Sequence, residues 1–434
     1  MNPPHQPVVA RGDEPPHCPR RVRHGCDHVT GKHAHVFLIR PGDYTAMTAP
    51  ERIHENDVLA RRIQFIYFDA GGGHRAAATA LKTAIEAQRR PWDIQLVNLQ
   101  QVLDPLDIFR KITGIRLQDL YNLMLAKGWT LGSAQLLRLM HGVISVYHSS
   151  AVRLLERHWR ETSPEMVVSL VPNFNRAMRE SLRAVNSATP YVTILTDFAD
   201  YPPHFWIERQ DQFLICPTER AVEQARQMGY RASQIFKVSG VILRPQFYEP
   251  VQIDRASERR RLGLQPDAPT ALVLFGGQGS SAMLDIAKRL GNSDLGLQLI
   301  LICGRNERLA SRLRSLKTKT PMFVEGFTTQ IPYYMRLADF FIGKPGPGSI
   351  SEALAMKLPV LVERNAWTLP QERFNAEWVR QKQVGIVVGS FRRVVEAAGQ
   401  LLAPENLLRF RTNASSIENR AVFEIPEILA GLLQ

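Results

Sequence analysis

Cysteine is scarce in this chain: four residues in 434, at positions 18, 26, 216 and 303. So few thiols in so long a chain exclude a disulfide-built scaffold and fit a reducing compartment. No run of about 18 apolar residues occurs, so no membrane-spanning helix is expected. The N-terminus carries no continuous apolar segment of the secretory kind. A cytoplasmic location is therefore expected, with any membrane role peripheral, at the inner face. Acidic residues are outnumbered, 41 against 54 Lys and Arg, which leaves a net charge of +13. Such a field favours phosphates, nucleic acid or an acidic membrane surface without choosing among them. No recognised nucleic-acid fold or aromatic-basic motif occurs, so nucleic acid is not an expected partner. What remains is ordinary globular composition, 44% hydrophobic and 22% charged, long enough for two or three domains and more than one core.

The chain divides unevenly. Residues 1–60 hold eight of the 28 prolines and seven of the 12 histidines, with few apolar runs. They read as a poorly ordered leader, with Met47 as an alternative start. Cys18, His24, Cys26, His28, His33 and His35 cluster there, but the two cysteines stand too far apart for the tight C-x₂₋₄-C pattern of zinc sites. From Arg62 the pattern sharpens. IQFIYFDA (63–70) reads as a buried strand, three glycines follow, and AAATALKTAIEAQRR (76–90) reads as a helix before the strand DIQLVNL (93–99). A strand, glycine loop, helix and strand in succession imply a parallel sheet. MVVSLV (166–171), YVTILTD (191–197) and QFLICP (212–217) extend it. After a charged, loop-rich linker (240–267), a second series begins: ALVLFGG (271–277), LQLILICG (297–304), MFVEGF (322–327), FFIGKPG (340–346) and PVLVER (359–364). The fold class is therefore α/β, with two doubly wound halves facing a cleft. The expected limits are a leader over 1–60, a first Rossmann-like domain over 61–245, a second over 246–395 and a helical segment over 396–434.

Three glycine-rich stretches carry the chemistry. In Asp69-Ala-Gly-Gly-Gly-His-Arg75, His74 stands where a strand gives way to a helix, at the sheet edge where α/β proteins place ligands. A histidine there has two readings: a base that takes a proton from an attacking hydroxyl, or a helix-capping residue on a structural turn. Gly276-Gly-Gln-Gly-Ser-Ser281 fits a loose dinucleotide fingerprint. The following strand ends in Cys303-Gly-Arg305 rather than an acid, so the loop suits some phosphate or ribose, with Arg305 also compatible with NADP. Lys344-Pro-Gly-Pro-Gly-Ser-Ile-Ser-Glu352 is the strongest: Gly346 and Gly348 clear space, Ser349 is placed to cap the helix, and the helix start suits a diphosphate. Glu352, in the first turn, suits two ribose hydroxyls; the plainer reading is a carboxylate favoured by the helix dipole. No Asp-x-Asp run occurs, so a tightly held metal on a diphosphate is not indicated.

These motifs, in this order, resemble a known family: the GT-B glycosyltransferases that make glycolipids, monogalactosyldiacylglycerol synthase and the processive diacylglycerol glucosyltransferases. The resemblance runs from about Ile63 to Val388 and rests on GGGHRAAATA (71–80), TDFADYPPHFW (196–206), VSGVILRPQF (238–247), GRNERLASRL (304–313), EGFTTQIPYYM (325–335) and KPGPGSISEAL (344–354). It implies a GT-B fold and an inverting transfer of galactose or glucose from a UDP-sugar to 1,2-diacylglycerol. His74 is implied as the base. Gly276, Gly277, Gln278, Gly279, Gly346, Gly348, Ser349 and Glu352 are implied as donor contacts, with Phe327 near the uracil and Gln371 and Glu372 at the sugar hydroxyls. Lys344 and Arg305 stand where they would meet the diphosphate's charge. The family commonly reads PGQEKGN where this chain has PQERFN, so Arg373 and Phe374 depart from it and leave the sugar open.

On the acceptor side the expected residues are Gly72, Gly73, His204 and Trp206, the last two in a loop that also reads as a packed turn. Asp197 suits either orienting His74 or an acceptor group, or simply ending a strand. Residues 104–160 set Ile108, Phe109, Ile112, Ile115, Leu117, Leu120, Tyr121, Leu123, Met124, Leu125 and Trp129 among Arg110, Lys111, Arg116 and Lys127. That pattern fits an amphipathic surface entering a lipid headgroup layer, or an ordinary core-facing helix. The expected partners are a UDP-sugar, diacylglycerol and an anionic membrane, with no resident cofactor. A UDP-sugar epimerase, or a transferase to another lipid-linked acceptor, stands as the alternative.

Overall fold

The computed structural model describes residues 60–69, 72–106, 133–250 and 252–433, with only the helix path over 133–145. The leader apart from Ala60, its Cys and His cluster, Gly71 and the apolar stretch from Ile108 to Trp129 lie outside the described residues.

The first sheet contains β1 (Arg61–Tyr67), β2 (Trp92–Asn98), β3 (Met166–Ser169), β4 (Tyr191–Ile194), β5 (Phe213–Cys216) and β6 (Ile235–Lys237), in the order β2-β1-β3-β4-β5-β6. The second contains β7 (Thr270–Leu274), β8 (Gln298–Ile302), β9 (Met322–Glu325), β10 (Phe340–Gly343), β11 (Val360–Glu363) and β12 (Gly385–Val388), in the order β12-β11-β10-β7-β8-β9. Every pairing is parallel. Helices cover both faces, which is why the inner strands are continuous apolar runs rather than alternating ones. All five residues of β7 and of β8 are buried. The winding direction reverses between β1 and β3 in the first sheet and between β7 and β10 in the second. The carboxyl ends beside such reversals are where open α/β sheets form their ligand crevices.

The helices of the first half are α1 (Gly73–Ala87), α2 (Leu99–Leu103), α3 (Ser133–Thr162), α4 (Asn175–Val185) and α5 (Glu219–Gln227). The second half adds α6 (Arg255–Arg261), α7 (Ala282–Gly291), α8 (Glu307–Arg314), α9 (Ile331–Leu337), α10 (Pro347–Ala355), α11 (Arg373–Gln381), α12 (Val394–Leu402), α13 (Pro404–Ser416) and α14 (Ala421–Leu432). No helix among the described residues is long and apolar enough to cross a membrane.

The last helix returns to the first sheet. Ala421, Val422, Ile425 and Leu429 of α14 are fully buried in the cluster formed by Ile63, Phe65, Leu81 and Ile85. Their spacing makes one apolar stripe along the helix. Removing each large aliphatic side chain from water contributes about 1.5–3 kcal/mol. The crossing is pinned by polar contacts: Ser239 N donates to Glu424 Oε2 (2.7 Å), Arg420 N to Ser239 Oγ (2.6 Å) and Asn419 Nδ2 to the Val241 carbonyl (2.9 Å). The two halves also touch through Phe198, which follows β4 yet packs in the core of the second sheet, 4.7 Å from the Trp378 ring.

At the amino edge of the second sheet, Asp339 accepts hydrogen bonds from Arg255 Nη2 (2.8 Å), Arg259 Nη2 (2.8 Å), Arg411 Nη2 (2.7 Å) and Thr270 N (2.9 Å). This one carboxylate ties α6, α13, β7 and β10 together. Arg259 has only 4% of its side chain exposed, so it depends on that partner. Removing one member of a buried pair leaves a desolvated charge uncompensated, a cost of about 3–5 kcal/mol. Asp339→Ala is expected to lower the free energy of unfolding by about that amount in a denaturant titration. Arg411→Ala, at a side chain 40% exposed, is expected to cost about 1 kcal/mol or less. Equal effects would contradict this account of the cluster.

Candidate active site

Gly72 caps α1 with φ 79°, in the left-handed region that glycine enters without a Cβ penalty. The turn sets His74 in the first turn of α1, at the carboxyl edge of β1. Its Nδ1 lies 3.3 Å from Thr196 Oγ1 and its ring centroid 5.8 Å from that of Trp206. The imidazole is half-buried. Burial lowers its pKa to about 4, against a backbone hydrogen bond at Leu170 that raises it. The ring is therefore neutral at pH 7, the form that accepts a proton.

The segment after β4 supplies the rest of this wall. Trp206 is fully buried and its Nε1 donates to Asp197 Oδ2 at 3.0 Å. Asp200 shapes the turn by accepting from His204 N (2.9 Å) and Trp206 N (2.6 Å). His204 points into solvent, whereas Trp206 is enclosed. The imidazole thus has Thr196 and the Leu170 backbone as hydrogen-bonding neighbours, and Asp197 bonds instead to the indole that packs near it. Asp197 is 8% exposed, and burial pushes its pKa from 3.8 to about 7. The Trp206 bond lowers that value, the Glu372 charge raises it and the Lys344 charge lowers it. Glu372 and Lys344 belong to the second half of the chain, so both walls of the cleft act on this one carboxyl.

On the second wall, the loops after β7 and β8 lie against each other. A Cβ at Gly304 would stand 2.3 Å from the Gly277 carbonyl oxygen, and one at Gly279 would stand 2.8 Å from that of Cys303. Both glycines also have positive φ, 59° and 61°. Arg305 N donates to the Gly277 carbonyl (2.9 Å) and Asn306 Nδ2 to that of Gln278 (3.3 Å). No atom lies within 4 Å of where a Cβ on Gly276 or Gly277 would stand. The Arg305 guanidinium sits 5.1 Å from the ring centre of Phe327, which is 57% exposed.

After β10, Gly346 rather than Ser349 is the N-cap of α10. Pro347 explains the correction: its fixed φ and missing N–H suit the first helical position, so the helix begins before Ser349. Glu352 accordingly lies beyond the first turn, which weakens a simple dipole role. Its side chain is 21% exposed with Arg244 Nη2 3.8 Å away. Burial raises its pKa to about 7, against the lowering effect of Arg244. The space beside Gly348 is open. Lys344 Nζ donates to Glu372 Oε1 at 2.9 Å, and the fully buried Asn375 donates through Nδ2 to the Pro345 carbonyl at 2.9 Å. Partly buried Gln371 stands next to Glu372. Residues 371–375 thus fold onto the Lys344 loop.

The structure brings His74, Asp197, Lys344 and Glu372 to one cleft and lines the second-sheet wall with the glycine loops. Sequence reasoning gave no role to Thr196 or Arg244, although both lie inside quoted motifs. Among the described residues, no group of three or more His, Cys, Asp or Glu is placed to hold a metal ion.

Residues 270–388 match the glycosyltransferase family 28 C-terminal domain. The chain is 28% identical over 363 residues to the chloroplastic monogalactosyldiacylglycerol synthase of Spinacia oleracea, covering 80% of this chain and 67% of that one. The crystal structure of Acinetobacter baumannii MurG superposes with a TM-score of 0.56 at 11% identity, over 86% of this chain and 99% of that one. The UDP-GlcNAc 2-epimerase of Neisseria meningitidis, bound to UDP-GlcNAc, superposes with a TM-score of 0.53 at 15% identity, over 85% of this chain and 100% of that one. At such identities the superpositions speak for the fold alone.

The raised pKa of Asp197 has a consequence for stability. A carboxyl whose folded value exceeds its ordinary one stabilises the native state at low pH, and that contribution is lost as pH climbs through about 7. Asp197→Asn keeps an oxygen for the Trp206 indole but cannot ionise. The variant is expected to raise Tm more at pH 8 than at pH 5. The same change at both pH values would show that Asp197 carries no such strain.

Proposed function

We propose that this chain, similar to the monogalactosyldiacylglycerol synthases, is a GT-B glycosyltransferase that moves a hexose, galactose or glucose, from a UDP-sugar to the hydroxyl of 1,2-diacylglycerol, with inversion, at a membrane surface. The observation that carries this reading is the neutral imidazole of His74 in a cleft whose other wall holds two glycine loops, a helix start and the Lys344–Glu372 pair. One wall offers a base and the other a cradle for a charged leaving group, which is what a single displacement requires.

In this reading the donor lies on the second wall. Phe327 meets the uracil and Glu352 the ribose hydroxyls. Backbone N–H groups from Gly276 to Gly279 and those of Gly346, Gly348 and Ser349 meet the diphosphate. Gln371 and Glu372 accept from the sugar hydroxyls. The acceptor comes in beside Gly72, Gly73 and the 200–206 turn with His204 and Trp206. His74 takes the hydroxyl proton as the oxygen attacks the anomeric carbon, and the bond from that carbon to the diphosphate breaks. UDP leaves with growing negative charge, which Lys344, Arg305 and the start of α10 stabilise. The net charge of +13 suits work against an anionic leaflet, and the spinach relative's name supports the diacylglycerol acceptor.

His74→Ala is expected to lower kcat by about 10²–10⁴-fold, the usual contribution of a positioned base, with UDP affinity unchanged. Radiolabelled UDP-galactose and UDP-glucose, with diacylglycerol in anionic vesicles, supply the readout. Normal turnover by the variant would remove His74 from the reaction. Conversion of the donor sugar without any acceptor would favour an epimerase.

A further inference from the structure

The main chain and the side chain of Phe198 belong to different halves of the molecule. Its main chain is fixed to the first half. The Phe198 carbonyl accepts from Thr218 Oγ1, the N-cap of α5, whose oxygen also accepts from Ala221 N at 3.2 Å. Two residues on, Asp200 N donates to Gln224 Oε1 (2.9 Å), and Gln224 Nε2 donates back to the Asp200 carbonyl (2.8 Å). The side chain packs elsewhere. It is 3% exposed within the core of the second sheet, its ring centre 4.7 Å from that of Trp378.

The socket that receives this ring is built from the two helices that carry the donor wall. A cavity of about 30 Å³ beside Phe198 is lined by Ser351 and Leu354 of α10 and by Trp378 of α11, with Thr218 and Gly240 from the first half. Gly346 caps α10, which holds Glu352, and α11 starts directly after Glu372. On the other side of Phe198 the chain runs back to the base. Asp197 accepts from the Trp206 indole at 3.0 Å, and Thr196 Oγ1 lies 3.3 Å from His74 Nδ1. Thr196 and Phe198 are at most about 7 Å apart along the chain. Close-packed interiors transmit strain, so a shift of the socket reaches the partner of the imidazole within two residues.

We propose that Phe198 is a positioning residue: seated in the socket of α10 and α11, it sets the register of the His74 wall against the donor wall. This inference deepens the transfer reading and rests on it. In a single displacement the attacking and leaving oxygens lie on opposite sides of one carbon, and here the two walls that hold them come from different halves. A misplacement of about 1 Å costs up to about 10²-fold in rate. The effect falls on kcat rather than on donor affinity, because the donor contacts lie on the second wall.

Phe198→Leu keeps an apolar plug and removes the ring that meets Trp378. Radiolabelled UDP-galactose and UDP-glucose, with diacylglycerol in anionic vesicles, give kcat per site, the sites being counted by titration with UDP. The variant is expected to lower kcat by about 10-fold and to change the UDP Kd by less than about 2-fold. In a His74→Ala background the same substitution is expected to lower the residual rate by less than about 2-fold, because the group it positions is gone. Trp378→Leu, which alters the socket from the other side, is expected to give the same pattern. Unchanged kcat in both variants, an equal loss with and without His74, or UDP affinity that falls in step with kcat would overturn the proposal, the last by making Phe198 a support of the donor wall alone. If Phe198→Leu does not fold, the cycle of Trp378→Leu with His74→Ala decides by the same outcomes. Wild-type enzyme that leaves diacylglycerol unmodified would refute the acceptor reading and not this one; the cycle is then read on hydrolysis of the UDP-hexose, with water as the nucleophile. No turnover of either donor by either route would refute both.

Discussion

The arrangement depends on three ionisable side chains from the two halves, Asp197, Lys344 and Glu372, held together in a confined place. Lys344 Nζ bonds the Glu372 carboxylate at 2.9 Å, and both charges act on the buried Asp197 across the cleft. Asp197 and Glu372 are each less than a tenth exposed, so water screens them poorly. One lysine stands beside two carboxyl groups, and burial first, then the Glu372 charge, pushes the Asp197 pKa to about 7 against the lowering effect of Lys344. On the proposed reading, an incoming diphosphate competes for the same ammonium and frees Glu372 for a sugar hydroxyl.

Topology explains why the charges meet there. In each sheet the winding direction reverses beside the strand that precedes the key loop: β1 before His74, β7 before Gly276 and β10 before Lys344. Loops on either side of such a reversal splay apart and leave a crevice at the carboxyl edge. The two crevices face each other because the chain crosses between the halves twice. The first crossing, at Ser239 to Arg244, and the second, at Asn419 to Ala421, are knitted together by side-chain hydrogen bonds. Packing of α14 on the first sheet makes that double crossing part of a core rather than a loose tether.

Much of this was legible in the sequence because it is local. Two parallel α/β halves follow from apolar runs punctuated by glycine, and the site loops from the places where those runs end. The runs overshoot the strands, however: YVTILTD reaches Asp197, while β4 stops at Ile194. Beyond the strand, Thr196 and Asp197 are site residues that bond to His74 and Trp206 rather than to a ladder. The edge strands β6 and β12 were not read. Each is short, IFK and GIVV. The Lys344–Glu372 pair, the Thr196 contact to His74 and the return of α14 join positions far apart in the chain, and no periodicity records such pairings. The N-cap of α10 was misplaced for a local reason, since Pro347 outweighs Ser349 in setting where the helix begins.

On the proposed reading, a UDP-hexose lies on the second wall with its anomeric carbon facing His74. A crystal structure of the protein with a non-transferable UDP-hexose tests it most directly. The diphosphate is expected at the start of α10 beside Lys344, with the imidazole opposite the anomeric carbon on the side away from UDP. A donor seated elsewhere, or seated there with His74 on the same side as the leaving group, would contradict it.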